Sequence, residues 1–162
     1  MARIGIDIRC LSDGKNTGVE EYTRSILEQL FELDKKNQYI LFLNSFRKSN
    51  FDPVIFSRFK NVSVKKFNYP NKFLNFCFWY LRWPYADIML GGVDIFFMPN
   101  INFVALSKKT KLVLTIHDLS YEIFPQTFSV KRRLWHHILN PHRLCQNANK
   151  IIAVSQSSKS DI

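Results

Sequence analysis

The stretch "KLVLTIHDLSYEIFP", residues 111–125, sets two ionisable side chains, His117 and Asp118, side by side where strand-forming residues give way to turn-like and aromatic ones. An imidazole there can exchange a hydrogen bond with a sugar hydroxyl or hold a proton near neutral pH. The structural alternative is a His that satisfies a strand end and an Asp that caps whatever follows. Other polar residues stand at comparable strand ends: Asp7 and Arg9 after "RIGI", Pro99 and Asn100 after "VDIFFM", and Ser155 after "KIIAV". Gly18 opens the helical pattern "GVEEYTRSILEQL", whose free N–H groups and positive dipole end suit a phosphate, whereas Glu20 and Glu21 repel one unless they point away. His136 and His137 are adjacent and so project to different faces of a helix. With His142 they lack a companion cysteine or carboxylate cluster, so no metal is expected.

Elements that would position these residues follow from periodicity. Ile4, Ile6 and Ile8 alternate as a first strand. Thr17 and Glu20 have capping-box spacing, and Val19, Tyr22, Ile26, Leu30 and Leu33 draw an apolar stripe along the helix they start. "QYILFLN" reads as a second strand and "NVSVKKFN" as a third, nearer an edge because it alternates and carries two lysines. "NKFLNFCFWYLRWPYADIML" has helical length and ends near Gly91-Gly92. It reads either as a helix packed on the sheet or as an apolar surface for a lipid interface, with Trp79, Tyr80, Trp83 and Tyr85 around Arg82. "VDIFFMP", "KLVLTI" and "KIIAVS" complete six strands. Ser129 is placed to cap a helix running to about Cys145 that bends at Pro141. Ser158 and Asp161 repeat the capping-box spacing just before the chain stops, which leads us to expect a longer natural protein.

This alternation predicts an α/β fold, a Rossmann-like doubly wound sheet that is mostly parallel, with residues 1–162 forming one domain. In such sheets ligands sit outside the carboxyl ends of the strands, which is where His117, Asp118, Arg9, Asn100 and Ser155 fall.

Composition narrows the function classes. At 46% hydrophobic and 22% charged residues the chain has a globular balance and is no disordered tail. Cys10, Cys77 and Cys145 are odd in number and unpaired in sequence, so neither a disulfide framework nor a zinc ribbon is supported, and a cytoplasmic location is expected. No signal-peptide pattern opens the chain, and no run approaches the roughly 20 apolar residues of a membrane span. The net charge of +10 asks for an anionic partner. The absence of G-x-G-x-x-G, G-x-x-x-x-G-K-[ST] and G-x-S-x-G patterns argues against a dinucleotide dehydrogenase, a P-loop NTPase and an α/β-hydrolase.

Together, "IGIDIRCLSDGKNTGVEEYTRSILEQL", "GGVDIFFMPN", "VLTIHDLSYEIFPQTFSVKRRLWHHILNP" and "ANKIIAVSQSSKSDI" resemble, in order and over nearly the whole chain, the N-terminal half of GT-B-fold glycosyltransferases of family 4, the "group 1" transferases. The resemblance implies a two-domain enzyme. Its N-terminal domain shapes the acceptor site, and its C-terminal domain, absent here, binds the nucleotide-sugar with an E-x7-E motif. It implies transfer with retention and no metal or other cofactor, the nucleotide-sugar being a substrate. Carried over, Gly18, with Thr17 before it, matches the loop that approaches the donor phosphates. His117 matches the strand-end histidine that contacts the transferred sugar, and Asp118 follows it in the same pattern as the residue that orients the loop. Ser155 and Ser158 match the "AVS-x-x-S" segment near the cleft floor. Arg9, Asn100 and Tyr121 are the acceptor-side candidates. The expected partners are a nucleotide-sugar and a glycan or lipid-linked acceptor at the inner membrane face, with peripheral membrane contact, and the fragment alone is expected not to turn over.

Two other classes are weighed against this: a non-catalytic Rossmann-like binding or scaffolding module, and a basic nucleic-acid-binding domain. The latter ranks low because the aromatics concentrate in one segment and no RRM, KH or OB pattern is present, so nucleic acid is not expected as a partner.

Overall fold

Residues 39–43 of the second strand, Tyr-Ile-Leu-Phe-Leu, are all buried, a pattern that fits only a strand covered on both faces. The computed structural model, which describes residues 1–13, 17–46 and 51–162, places it in a six-stranded sheet. The strands are β1 (Arg3–Asp7), β2 (Gln38–Asn44), β3 (Val62–Phe67), β4 (Ile95–Met98), β5 (Lys111–Ile116) and β6 (Lys150–Ala153), in spatial order β3-β2-β1-β4-β5-β6. Every neighbouring pair is parallel. Side chains divide by parity between two cores. Tyr39, Leu41, Leu43 and Phe97 join one with Leu27 and Phe31; Ile40, Phe42, Phe96 and Met98 join the other with Leu74, Phe78 and Leu114. The fold is therefore α/β and Rossmann-like, doubly wound, with β3 at an edge as its exposed Lys65 and Lys66 lead one to expect. Strand order reverses between β1 and β4, so the crevice for a ligand lies over their carboxyl ends.

Helix α1 (Gly18–Leu33) starts at Thr17, whose hydroxyl accepts the Glu20 N–H at 3.3 Å. Its buried residues are Glu20, Thr23, Leu27 and Phe31, a stripe rotated from the one expected, and Leu33 is 83% exposed. The rotation has a packing cause. Phe31 inserts between Tyr39, Phe56 and Phe59, with ring centroids 4.9, 5.5 and 5.5 Å away, and burial of such a ring contributes about 2–3 kcal/mol. Thr23 can follow it inward because its hydroxyl donates to the Val19 carbonyl at 2.7 Å.

The aromatic segment is not one helix. It divides into α2 (Asn71–Phe76), a π-helical turn (Cys77–Leu81), Arg82 in the left-handed region at φ 52°, and α3 (Ala86–Met89). Pro84 explains the break, since it has no N–H to donate and disfavours helical backbone in the residue before it. Leu74, Cys77, Phe78 and Ala86 face the core, and Phe73, Phe76, Trp79, Tyr80 and Trp83 face outward. Leu90 beyond α3 packs so closely on β1 that a Cβ at Gly5 would lie 2.7 Å from its Cδ1, which reserves that position for glycine.

After β5 come the short α4 (Ser120–Ile123), then α5 (Val130–Leu139), capped by Ser129 as expected. Pro141 breaks this helix rather than bending it. Asn140 turns left-handed at φ 52° and its Oδ1 caps α6 (Pro141–Asn147) through the Arg143 N–H at 3.0 Å. The last helix, α7 (Gln156–Asp161), is capped by Ser155, three residues before the expected Ser158.

At the carboxyl end of α1, Asp34 accepts the Tyr39 hydroxyl at 2.6 Å, the Asn37 amide at 2.7 Å and the Lys36 N–H at 2.8 Å. The Tyr39 bond is the largest of the causes that hold its carboxyl below the usual carboxylate range. A carboxyl depressed in the folded state stabilises above its unfolded pKa of about 4, and that contribution is lost as pH falls from there through the folded value. We expect thermal stability to decline below about pH 4, and Asp34→Asn to flatten that decline in melts recorded across pH. An unchanged acid limb in the variant would show that other carboxylates govern it.

Candidate functional site

The crevice is built around Asp7, the last residue of β1, and Arg9 just beyond it. Both are nearly inaccessible, at 4% and 8% exposure. Arg9 Nη2 donates to Asp7 Oδ2 at 2.6 Å and Nε donates to Oδ1 at 2.9 Å, a two-pronged pair that neutralises both charges. Its remaining N–H groups reach the Phe103 carbonyl at 2.8 Å and Asn75 Oδ1 at 3.4 Å, and its plane lies over Phe42 and Phe78 at 5.3 and 5.5 Å. Arg9, an acceptor-side candidate from sequence, is thus engaged by the fold.

Above the pair is a cavity of about 200 Å³ lined by Asp7, Arg9, Cys10, Ser12 and five asparagines: Asn44, Asn71, Asn75, Asn100 and Asn102. Asn44, at the end of β2, uses its amide fully, accepting the Tyr69 N–H and donating to the Tyr69 carbonyl and Asn71 Oδ1. Among the described residues, no hydrogen bond engages the Asn71 amide N–H groups or the side chain of Asn100. With the ion pair internally neutral, the walls offer uncharged amide donors and acceptors. Such a surface matches hydroxyl groups, which both donate and accept, better than it matches an anion.

A second cavity, about 360 Å³, shares Asn100 as a wall and continues past Val19, His117, Asp118, Tyr121, Arg132 and His136. His117 follows β5, and three contacts orient it. Its Nε2 is 2.8 Å from the Pro99 carbonyl, its ring meets Tyr22 edge-on at 4.9 Å, and its own carbonyl accepts the Ser158 hydroxyl at 2.9 Å. A carbonyl can only accept, so Nε2 carries the proton and Nδ1 the lone pair in the neutral ring. Asp118 is exposed and its Oδ1 accepts the Ser120 N–H at 3.0 Å, which shapes the turn into α4.

Tyr121 and His136 stack 3.9 Å apart and nearly parallel at 6°. The Tyr121 hydroxyl and His136 Nδ1 are buried without a hydrogen-bond partner among the described residues, which costs about 1–3 kcal/mol each. Burial, with Arg132 adding to it, lowers the His136 pKa and keeps the imidazole neutral at pH 7; burial likewise raises that of the Tyr121 phenol.

The other sequence candidates divide. Gly18 is exposed at the start of α1, and a Cβ there would meet nothing within 4 Å among the described residues; Thr17 beside it is the cap. Glu20 is buried and Glu21 exposed, and residues 14–16 before them lie outside the described residues. Ser155 and Ser158 act as a clamp: Ser155 Oγ accepts the Ser158 N–H and donates to Ser158 Oγ, both at 3.0 Å, and Ser158 Oγ in turn donates to the His117 carbonyl. Asn100, at a strand end, and Tyr121, within α4, both line cavities. Sequence reasoning missed Tyr22, Asn71, Asn75, Asn102, Arg132 and His136. Spacing offers a signal for one pair only, Asn71 and Asn75 at i and i+4 on one face of α2. Among the described residues no group of three or more His, Cys, Asp or Glu side chains is placed to hold a metal ion.

Two predictions follow from the first cavity. Asp7→Asn leaves the Arg9 charge buried without its counter-ion, so the urea midpoint should fall by an amount equivalent to about 3 kcal/mol; a shift under about 1 kcal/mol would mean that solvent screens the pair. Burial pushes the Cys10 thiol up to about 11, with Thr23 opposing the shift. Iodoacetamide labelling of Cys10 should therefore be slow at pH 7 and accelerate toward pH 11, and labelling already complete at neutral pH would overturn this.

Searches against known protein families, characterised proteins and solved structures find no match to this chain.

Proposed function

We propose that this chain is the acceptor-side, N-terminal part of a glycosyltransferase. The enzyme transfers a sugar, with retention, from a nucleotide-sugar to a glycan or lipid-linked acceptor in surface polysaccharide synthesis at the cytoplasmic face of a membrane. The observation that carries the reading is the juxtaposition across Asn100 of an uncharged, amide-lined cavity with one that holds His117, at the point where strand order reverses. The first suits the hydroxyls of an acceptor. The second supplies an imidazole of defined tautomer beside the start of α1, where a donor phosphate would approach Gly18. His117 hydrogen-bonds the transferred sugar near the bond being broken, and Asp118 holds the turn that presents it. The family resemblance of the sequence agrees with this arrangement and is the source of the donor side.

Two measurements test it. In the full-length enzyme His117→Ala should lower kcat about 100-fold while nucleotide-sugar affinity changes by less than about threefold; intact turnover would return His117 to a structural role. In the chain itself, Asn100→Ala should reduce saturation transfer by NMR to a neutral oligosaccharide without moving the melting temperature. Equal transfer in both proteins would remove the amide cavity from the acceptor site.

A further inference from the structure

We infer that the segment 72–88 is a docking surface for an anionic lipid bilayer. Within it Phe73, Phe76, Trp79, Tyr80, Leu81, Trp83, Tyr85 and Ile88 are each at least 40% exposed. Ordinary surfaces scatter such residues singly; here all of them fall within residues 72–88. Phe76 stacks on Tyr80 at 5.5 Å and both meet Trp79, at 6.3 and 6.0 Å, so the rings form one outward patch. Trp and Tyr have an apolar body and a polar tip, the chemistry that settles at the headgroup level of a membrane, while Phe, Leu and Ile reach the acyl boundary.

Charge selects the occupant. Residues 53–117 contain nine Lys and Arg against two Asp, Asp87 and Asp94. Asp87 is 2% exposed and accepts the Ser107 N–H, and Asp94 accepts the Arg3 N–H. Exposed Lys72 and Arg82 lie within the segment, and Arg82 and Arg143 line, with Trp79, a groove of about 280 Å³. Aromatic anchors with Lys72 and Arg82 among them and Arg143 at the same groove are complementary to anionic headgroups. Helix α2 also carries Asn71 and Asn75, which line the amide cavity. The inference does not depend on the transferase reading, because it rests on exposed side chains that line neither of the two cavities.

The test is flotation of the chain with vesicles of equal parts phosphatidylglycerol and phosphatidylcholine, together with quenching of tryptophan emission by brominated acyl chains. We expect binding that weakens in high salt and on pure phosphatidylcholine, with quenching in the unaltered chain. Trp79→Ala with Trp83→Ala should reduce binding at least about tenfold. Leu33→Ser, an exposed change at the far end of α1, should leave it unchanged. Absence of flotation, salt-sensitive binding that the double variant retains, or a dimer by light scattering that the double variant dissolves would each overturn the proposal, the last by assigning the patch to a second copy. Quenching in the unaltered chain decides the matter even if the double variant folds poorly.

Discussion

The buried pair between Asp7 and Arg9 is the constraint on which the crevice depends. A guanidinium at 8% exposure is tolerable only because one carboxylate, a carbonyl and an amide oxygen take its N–H groups. These partners come from β1, from the loop after β4 and from α2, so satisfying one side chain fixes three separate parts of the chain over the carboxyl edge of the sheet. It also cancels the charge of the cavity floor, leaving the asparagines to set its chemistry.

The second cavity is organised by a different economy of contacts. His117 receives its tautomer from the Pro99 carbonyl and its tilt from Tyr22, while the serine clamp of α7 holds its backbone. Each partner belongs to another element: the loop after β4, α1 and the segment after β6. Opposite them, Tyr121 and His136 present buried polar atoms that no described residue satisfies. On the ligand-accessible side, three elements thus hold His117 in one orientation in the cavity wall.

Strands were legible in the sequence because parallel, doubly covered strands need unbroken apolar runs, and β2 and β5 have them. The start of α1 was legible from Thr17 and Glu20 because capping is local. Failures occurred where a distant partner decided. The buried stripe of α1 turned toward Phe31 because Tyr39, Phe56 and Phe59 form a receptacle that no window of α1 contains. The aromatic segment misread as one helix contains a local signal, Pro84, but length and apolar content outweighed it. At α7 the spacing of Ser158 and Asp161 pointed to the wrong cap, since the Ser158 hydroxyl is drawn to the His117 carbonyl 41 residues earlier.

The sequence by itself determined the α/β alternation, the six strands and the placing of His117, Asn100, Arg9 and Ser155 at strand ends, because backbone periodicity and capping act over a few residues. Only the tertiary structure decided what those residues do. It enclosed Arg9 with Asp7, turned the serines into a clamp, gathered asparagines from three elements into one cavity and set His136 and His117 in the lining of another. Long-range hydrogen bonding and burial make these choices, since a polar group taken from water must find its partner wherever the fold supplies one.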